Sequence, residues 1–242
     1  MKKKIITAIT IIFLILASLL YYFSHELSVI VPTKLHFSRV KTPEAYAVPS
    51  DRIVDAKTKD LAFKPSLSCK WFKFKTPWKL LQRHEGYTSD VFLMLSDEGM
   101  EKGMGVRIEN ILITSHSEYR KFQQLLDKLH LTTEYLIADF CLRTTPDDAA
   151  FLTPKDKLAI IPSMLIWKTM YTAYGSVIYR FSVNDLKCFQ FSDPETPDFV
   201  YVLIFDNSNR VFIVSFIAAT QEEIDSILSS IKFFPNPAIR KE

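Results

Sequence analysis

Glycine is scarce in this chain, with five residues among 242, and cysteine occurs only three times. So little glycine argues against low-complexity or collagen-like composition. No G-x-S-x-G elbow, Walker-type phosphate-binding loop or H-E-x-x-H helix occurs, so serine-hydrolase, nucleotide-binding and zincin chemistry have no motif here. Gly103-Met104-Gly105 lacks the third glycine of a dinucleotide fingerprint. It reads instead as a turn between strands ending near Leu95 and beginning near Val106, with Asp97 and Glu98 as solvated turn residues. Cys69, Cys141 and Cys188 cannot all pair, and none lies in a C-x-x-C arrangement. One disulfide is open to them in an oxidising compartment, but each sits in an apolar segment and fits better as a small packing residue. Neither a metal nor a cofactor is expected.

An excess of one charge is also missing. The formal net charge of +3 comes from Lys2, Lys3 and Lys4, and from His25 onward 27 cations face 27 anions. A neutral domain has no general attraction for a phosphate backbone, which leaves nucleic-acid binding without support.

What the chain does have is a long apolar run. Ile5 to Phe23 is uncharged, about the length that spans a bilayer core, and apolar on every face; Ile5, Ile11, Leu14, Leu19 and Phe23 mark it as a membrane anchor. The lysines before it keep the N-terminus cytoplasmic and export the remainder. A cleaved signal peptide is the alternative, which would make the protein secreted, but small residues are poorly placed for cleavage at the end of the run. The short lysine cluster is bacterial in style. The expected location is the inner membrane, single pass, with a periplasmic C-terminal domain.

The expected organisation is an anchor over residues 1–24, a Pro-containing linker over 25–66, an extracytoplasmic domain over 67–235 and a tail over 236–242. Pro32, Pro43, Pro49 and Pro65 stiffen the linker, within which a short strand or helix has room. The domain opens with a strand around Cys69 to Lys75, stopped at Thr76-Pro77. Val91 to Leu95 and Val106 to Ile113 read as further strands. Ser115 and Glu118 have capping-box spacing before the helical stripe Tyr119, Phe122, Leu125, Leu126 and Leu129. Thr133 to Arg143 reads equally as helix or buried strand, and Pro154 to about Ala173 as a helix broken at Pro162.

Strands follow at Val177 to Val183, Leu186 to Phe191, Val200 to Phe205 and Val211 to Ile217. A helix capped by Thr220 and Glu223, with the stripe Ile224, Ile227, Leu228 and Ile231, closes the domain at Phe234-Pro235. Strands grouped apart from helices predict an α+β fold, an antiparallel sheet packed with helices.

The segment Phe74-Lys75-Thr76-Pro77-Trp78, the paired strands from Val200 to Ile217 and the closing pattern Glu222-x-Ile224-x-x-Ile227-Leu228-x-x-Ile231 together resemble the PsbP-like α/β/α sandwich superfamily, over roughly residues 69 to 234. Phe151 to Tyr174 stands outside that pattern. The resemblance implies a non-enzymatic binding or assembly role.

Two kinds of candidate site remain. Trp167, Tyr171 and Tyr174, with Met170 and Tyr179 nearby, either line a recognition surface for an apolar ligand or protein partner, or pack a core. His84, Glu85 and Asp90 are the alternative, a His and carboxylate set for an envelope hydrolase. His116 and Glu118 make a further H-x-E cluster, but no P-C-x-x-C follows it, and Glu118 is better used in the capping box. The leading expectation is a membrane-anchored, non-catalytic protein acting on another envelope protein.

Overall fold

The computed structural model describes residues 12–16, 46–54, 66–109, 126–149, 164–165, 168–169 and 171–234. Runs of about seven residues, several of them almost wholly apolar, build most of a large, mainly antiparallel sheet. Its strands are β1 (Ser50–Asp51), β4 (Lys79–Glu85), β5 (Ser89–Leu95), β6 (Glu101–Glu109), β7 (Val177–Val183), β8 (Leu186–Ser192), β9 (Phe199–Phe205) and β10 (Val211–Ile217). They lie in the order β1-β7-β8-β9-β10-β6-β5-β4. A smaller sheet joins β2 (Leu67–Ser68), β3 (Phe72–Phe74) and β11 (Lys232–Phe233), with β3 in the middle.

Successive side chains on a strand point to opposite faces, and both faces of the large sheet carry a core. On one, Phe92, Met94, Val202, Val214 and Phe216 meet Phe72 and Phe74 of the small sheet and Ile224, Ile227 and Leu228 of a closing helix, α2 (Gln221–Ser229). On the other, Phe189, Phe191, Leu203 and Ile213 meet Ile137, Ala138 and Cys141 of the helix α1 (Glu134–Arg143), together with Leu126 and Tyr171. The fold is therefore mixed α/β, with a large antiparallel sheet and few helices, as the grouping of strands predicts.

Local chemistry explains where the helices begin. Thr133 at the N-cap of α1 accepts from the Leu136 amide, which resolves the Thr133 to Arg143 ambiguity in favour of helix. Thr220 and Glu223 form the reciprocal capping box at α2. The closing helix nevertheless stops before Phe234: Ser230 is its C-cap, and the chain re-enters a strand at Lys232–Phe233. Ile231 is still buried in the core.

One further expectation changes, and two strands are added to those read from the sequence. Gly103-Met104-Gly105 is not a turn but lies inside β6, and the reversal falls at Asp97-Glu98-Gly99, where Gly99 takes φ +81°. Lys79–Glu85, with no apolar alternation to advertise it, is an edge strand, and a register shift between Leu80 and Gln82 bulges it. Bulges and charges at a sheet edge oppose strand addition by another chain. Finally, part of the linker belongs to the sheet, since Ser50 and Asp51 pair in parallel with Tyr179 and Arg180 of β7.

The three cysteines are free and buried. Most of the helix expected from Ser115, including His116 and Glu118, lies outside the described residues, as do Ile5, Ile11, Leu19 and Phe23 of the expected anchor. Among the described residues no helix is long and apolar enough to cross a membrane.

Candidate functional site

The register of β5, β6, β10 and β9 lines up side chains across the sheet. One row runs Leu93, Gly103, Ile217, Phe199; the next runs Val91, Gly105, Ser215, Tyr201. Both lie on the same face as α1, whose core takes in Ile178 of β7, Phe189 of β8, Leu203 of β9 and Ile213 of β10. Outside that core Val91, Leu93, Phe199 and Ile217 are 37–48% exposed. Scattered exposed apolar residues are ordinary, whereas four in adjacent rows make a continuous patch, the feature that marks interaction surfaces.

The two glycines shape this patch. A Cβ on Gly103 would come within 3.1 Å of Ile217 Cδ1, and one on Gly105 within 2.5 Å of Ser215 Oγ. Their absence of side chains lets β10 residues lie across β6 and leaves a depression beside Val91. That depression opens into a cleft of about 250 Å³ lined by Arg107, Tyr174, Tyr201 and Ser215 among others. The Tyr174 and Tyr201 rings sit 5.0 Å apart, and Arg107 donates to the Tyr174 hydroxyl. The wall is thus aromatic and held at its polar tip, which suits recognition of a partly apolar group.

Of the residues expected on a recognition surface, Tyr174 lies in this cleft. Tyr171 is buried in the core beneath α1, and Trp167 lies outside the described residues. Tyr201, Arg107, Gly105 and Ser215 went unrecognised in the sequence because only strand order brings them together.

The His and carboxylate set is divided by the backbone. Glu85 pairs with Asp90 and His84 with Val91, so Glu85 and Asp90 project to one face of the sheet and His84 to the other. Asp90 is fully buried; its Oδ2 accepts from the Lys70 amide at 3.0 Å and from Arg83 Nη2 at 3.3 Å, while its Oδ1 has no partner among the described residues. Arg83 also bridges Glu85 at 3.0 Å. This reads as an anchored ion cluster that ties the start of β3 to the β4–β5 hairpin. Among the described residues no three His, Cys, Asp or Glu side chains gather as metal ligands.

A second cleft, of about 270 Å³, runs along α1 between Leu136, Phe140, Arg143 and Asp148. Behind it lies Lys168, a buried ammonium whose Nζ donates to the Thr144 carbonyl at 2.7 Å. Burial lowers its pKa to about 8, against the pull of Cys141 and Asp148. The Cys141 thiol is pushed far up by burial. A cation bonded to the carbonyl at a helix C-terminus is a structural arrangement.

The chain matches no protein-family model, and no curated protein or solved structure is similar enough to be matched to it.

Proposed function

We propose that this chain is a membrane-anchored binding or assembly protein whose recognition face is the open half of the large sheet. The observation that carries the reading is the patch of Val91, Leu93, Phe199 and Ile217, exposed on a rigid sheet and continuous with the Tyr174–Tyr201 cleft. Strands hold those side chains in fixed positions, so a partner meets a preorganised surface at little entropic cost. An aromatic wall beside a small-residue floor favours an apolar segment of another protein.

The anchor belongs to the same proposal. Ile12–Leu16 is helical and each residue is between 52% and 70% exposed. Five consecutive helical residues pass more than a full turn, so no side of this stretch is covered by the domain, and lipid is the environment that suits it. With the lysines before it, the orientation is a cytoplasmic N-terminus and a periplasmic domain at the inner membrane. Helix α1 lies on one face of the sheet and α2 on the other, the layering that the PsbP-like α/β/α sandwich resemblance implies.

The test is a photo-crosslinking residue placed at Leu93 in the full chain, with one at the exposed turn residue Asp185 as control. A discrete adduct from Leu93, absent from Asp185 and lost on Ile217→Glu, is the expected result. Identical adducts at both positions, or none, would sink the reading. Extraction of the intact chain only by detergent tests the anchor separately.

A further inference from the structure

The segment Tyr46–Val54 is bound to the domain in an unusual way. Its pairing with β7 covers two residues, in parallel, while the other strands of the large sheet pair over long antiparallel ladders. Its larger apolar side chains contribute little to the attachment: Tyr46, Val48 and Ile53 are exposed, Ile53 at 93%. Only Ala47 and Val54 touch the cores.

Charge holds it instead. Arg52 Nη1 donates to both carboxylate oxygens of Asp225 on α2, at 2.8 Å each, and Nη2 donates to Gln190 Oε1 at 3.1 Å. The guanidinium lies 4.3 Å from the centroid of Phe181. Asp51 reaches the opposite face, accepting from Arg180 Nε at 2.7 Å, and Arg180 in turn donates to Asp139 of α1. Beyond the two-residue ladder, the Arg52 amide donates to the Arg180 carbonyl at 2.8 Å and the Ser50 hydroxyl donates to the Ile178 carbonyl at 3.4 Å.

An element fixed by a few polar contacts and little apolar burial opens locally at far lower cost than the sheet unfolds. The site it would leave on β7 is specific: an unpaired strand edge, the Asp225 carboxylate on one side and the Arg180 guanidinium on the other. That charge pattern selects a strand carrying Asp followed by Arg. We propose that Tyr46–Val54 is an exchangeable strap, and that the strand able to replace it is the same segment of a second copy of this chain. Short elements exchanged between identical chains are a low-cost route to dimers.

Two measurements on the full chain decide this. In native-state hydrogen exchange, the Arg52 amide should exchange at least about 100-fold faster than the Val214 amide in the centre of β10. Asp225→Asn should raise the Arg52 rate by a further ~10-fold, the loss of one charge-assisted bond, and leave Val214 unchanged. Equal rates for the two amides in the wild type would overturn the proposal, because the strap would then open only with the whole sheet. In the second measurement, a labelled peptide spanning residues 46–54 should bind saturably to the Arg52→Ala chain and much less to the wild type, whose own strap competes. The same peptide with Ala in place of Arg52 should not bind. Equal binding of both peptides, or of neither, refutes exchange.

Discussion

Glu223 Oε1 accepts a hydrogen bond of 2.7 Å from Trp78 Nε1, joining the first turn of the closing helix to the Pro-Trp turn 145 residues earlier. The other oxygen of the carboxylate accepts from the Thr220 amide at 2.7 Å and pairs with the buried Lys102 ammonium at 3.3 Å. One side chain thus caps a helix, holds a tryptophan and balances a cation. These roles explain why the Pro-Trp turn and the start of the closing helix meet in space.

Burial works to raise the Glu223 pKa, but the bonds from Trp78, Thr220 and Lys102 outweigh it and hold the group below the ordinary glutamate value. A carboxyl group with a depressed folded-state pKa stabilises the fold fully above its unfolded value, and that contribution is lost as pH falls through the folded value. Glu223→Gln should lower the unfolding free energy at neutral pH by about 1–3 kcal/mol. The difference from wild type should shrink in acid, below the ordinary glutamate pKa. Urea midpoints measured from pH 7 down to pH 3 check this, and a pH-independent difference would contradict it.

Lys168 makes stability rise with pH in a higher, alkaline window, because here it is the charged form that burial disfavours. Its folded pKa of about 8 lies below the ordinary lysine value of 10.5, so between these limits the unfolded chain binds more protons and stability rises with pH. Relative to Lys168→Met, the wild type should gain on the order of 3 kcal/mol between pH 7 and pH 11, at about 1.4 kcal/mol per pKa unit. Other titrating groups are common to both proteins and cancel. A difference that stays flat over this range would exclude a titrating buried lysine.

The close approach at Gly105 predicts a specific coupling. Gly105→Ala alone should destabilise by about 1–3 kcal/mol, because the new methyl group meets Ser215 Oγ. Combining it with Ser215→Gly should recover at least 0.5 kcal/mol of that loss beyond additivity, in the range of about 0.5–3 kcal/mol seen for residues in contact. Chemical denaturation of the four proteins in the cycle measures the term directly; strict additivity would place the strain elsewhere.

All three thiols should resist modification in the native protein. Burial pushes the Cys69, Cys141 and Cys188 pKa values upward, suppressing the reactive thiolate. A thiol reagent should find none in the folded chain and three after denaturation without reductant. Fewer than three on denaturation would indicate a disulfide.

How much of this was legible beforehand varied with the strength of each local signal. The β7–β10 strands and α2 were readable because β-rich apolar runs, the turn residues between them and a capping box all pointed the same way. Lys79–Glu85 was missed because edge strands need not alternate: Leu81, Gln82, His84 and Glu85 are all exposed. The His84, Glu85 and Asp90 set was drawn from proximity in sequence, and pleating undid it by sending adjacent residues to opposite faces. Tyr174 could be named as an aromatic candidate, but not told apart from buried Tyr171.

By itself the sequence determined the apolar N-terminal run, the neutral charge of the remainder, the capped closing helix and the β-rich second half, all of which rest on residues near one another in the chain. Tertiary structure alone decided which face each strand turns outward, how Val91, Leu93, Phe199 and Ile217 come together, and that Ser50–Arg52 joins the sheet. Those outcomes depend on strand order and register, which are set by packing between residues far apart in sequence.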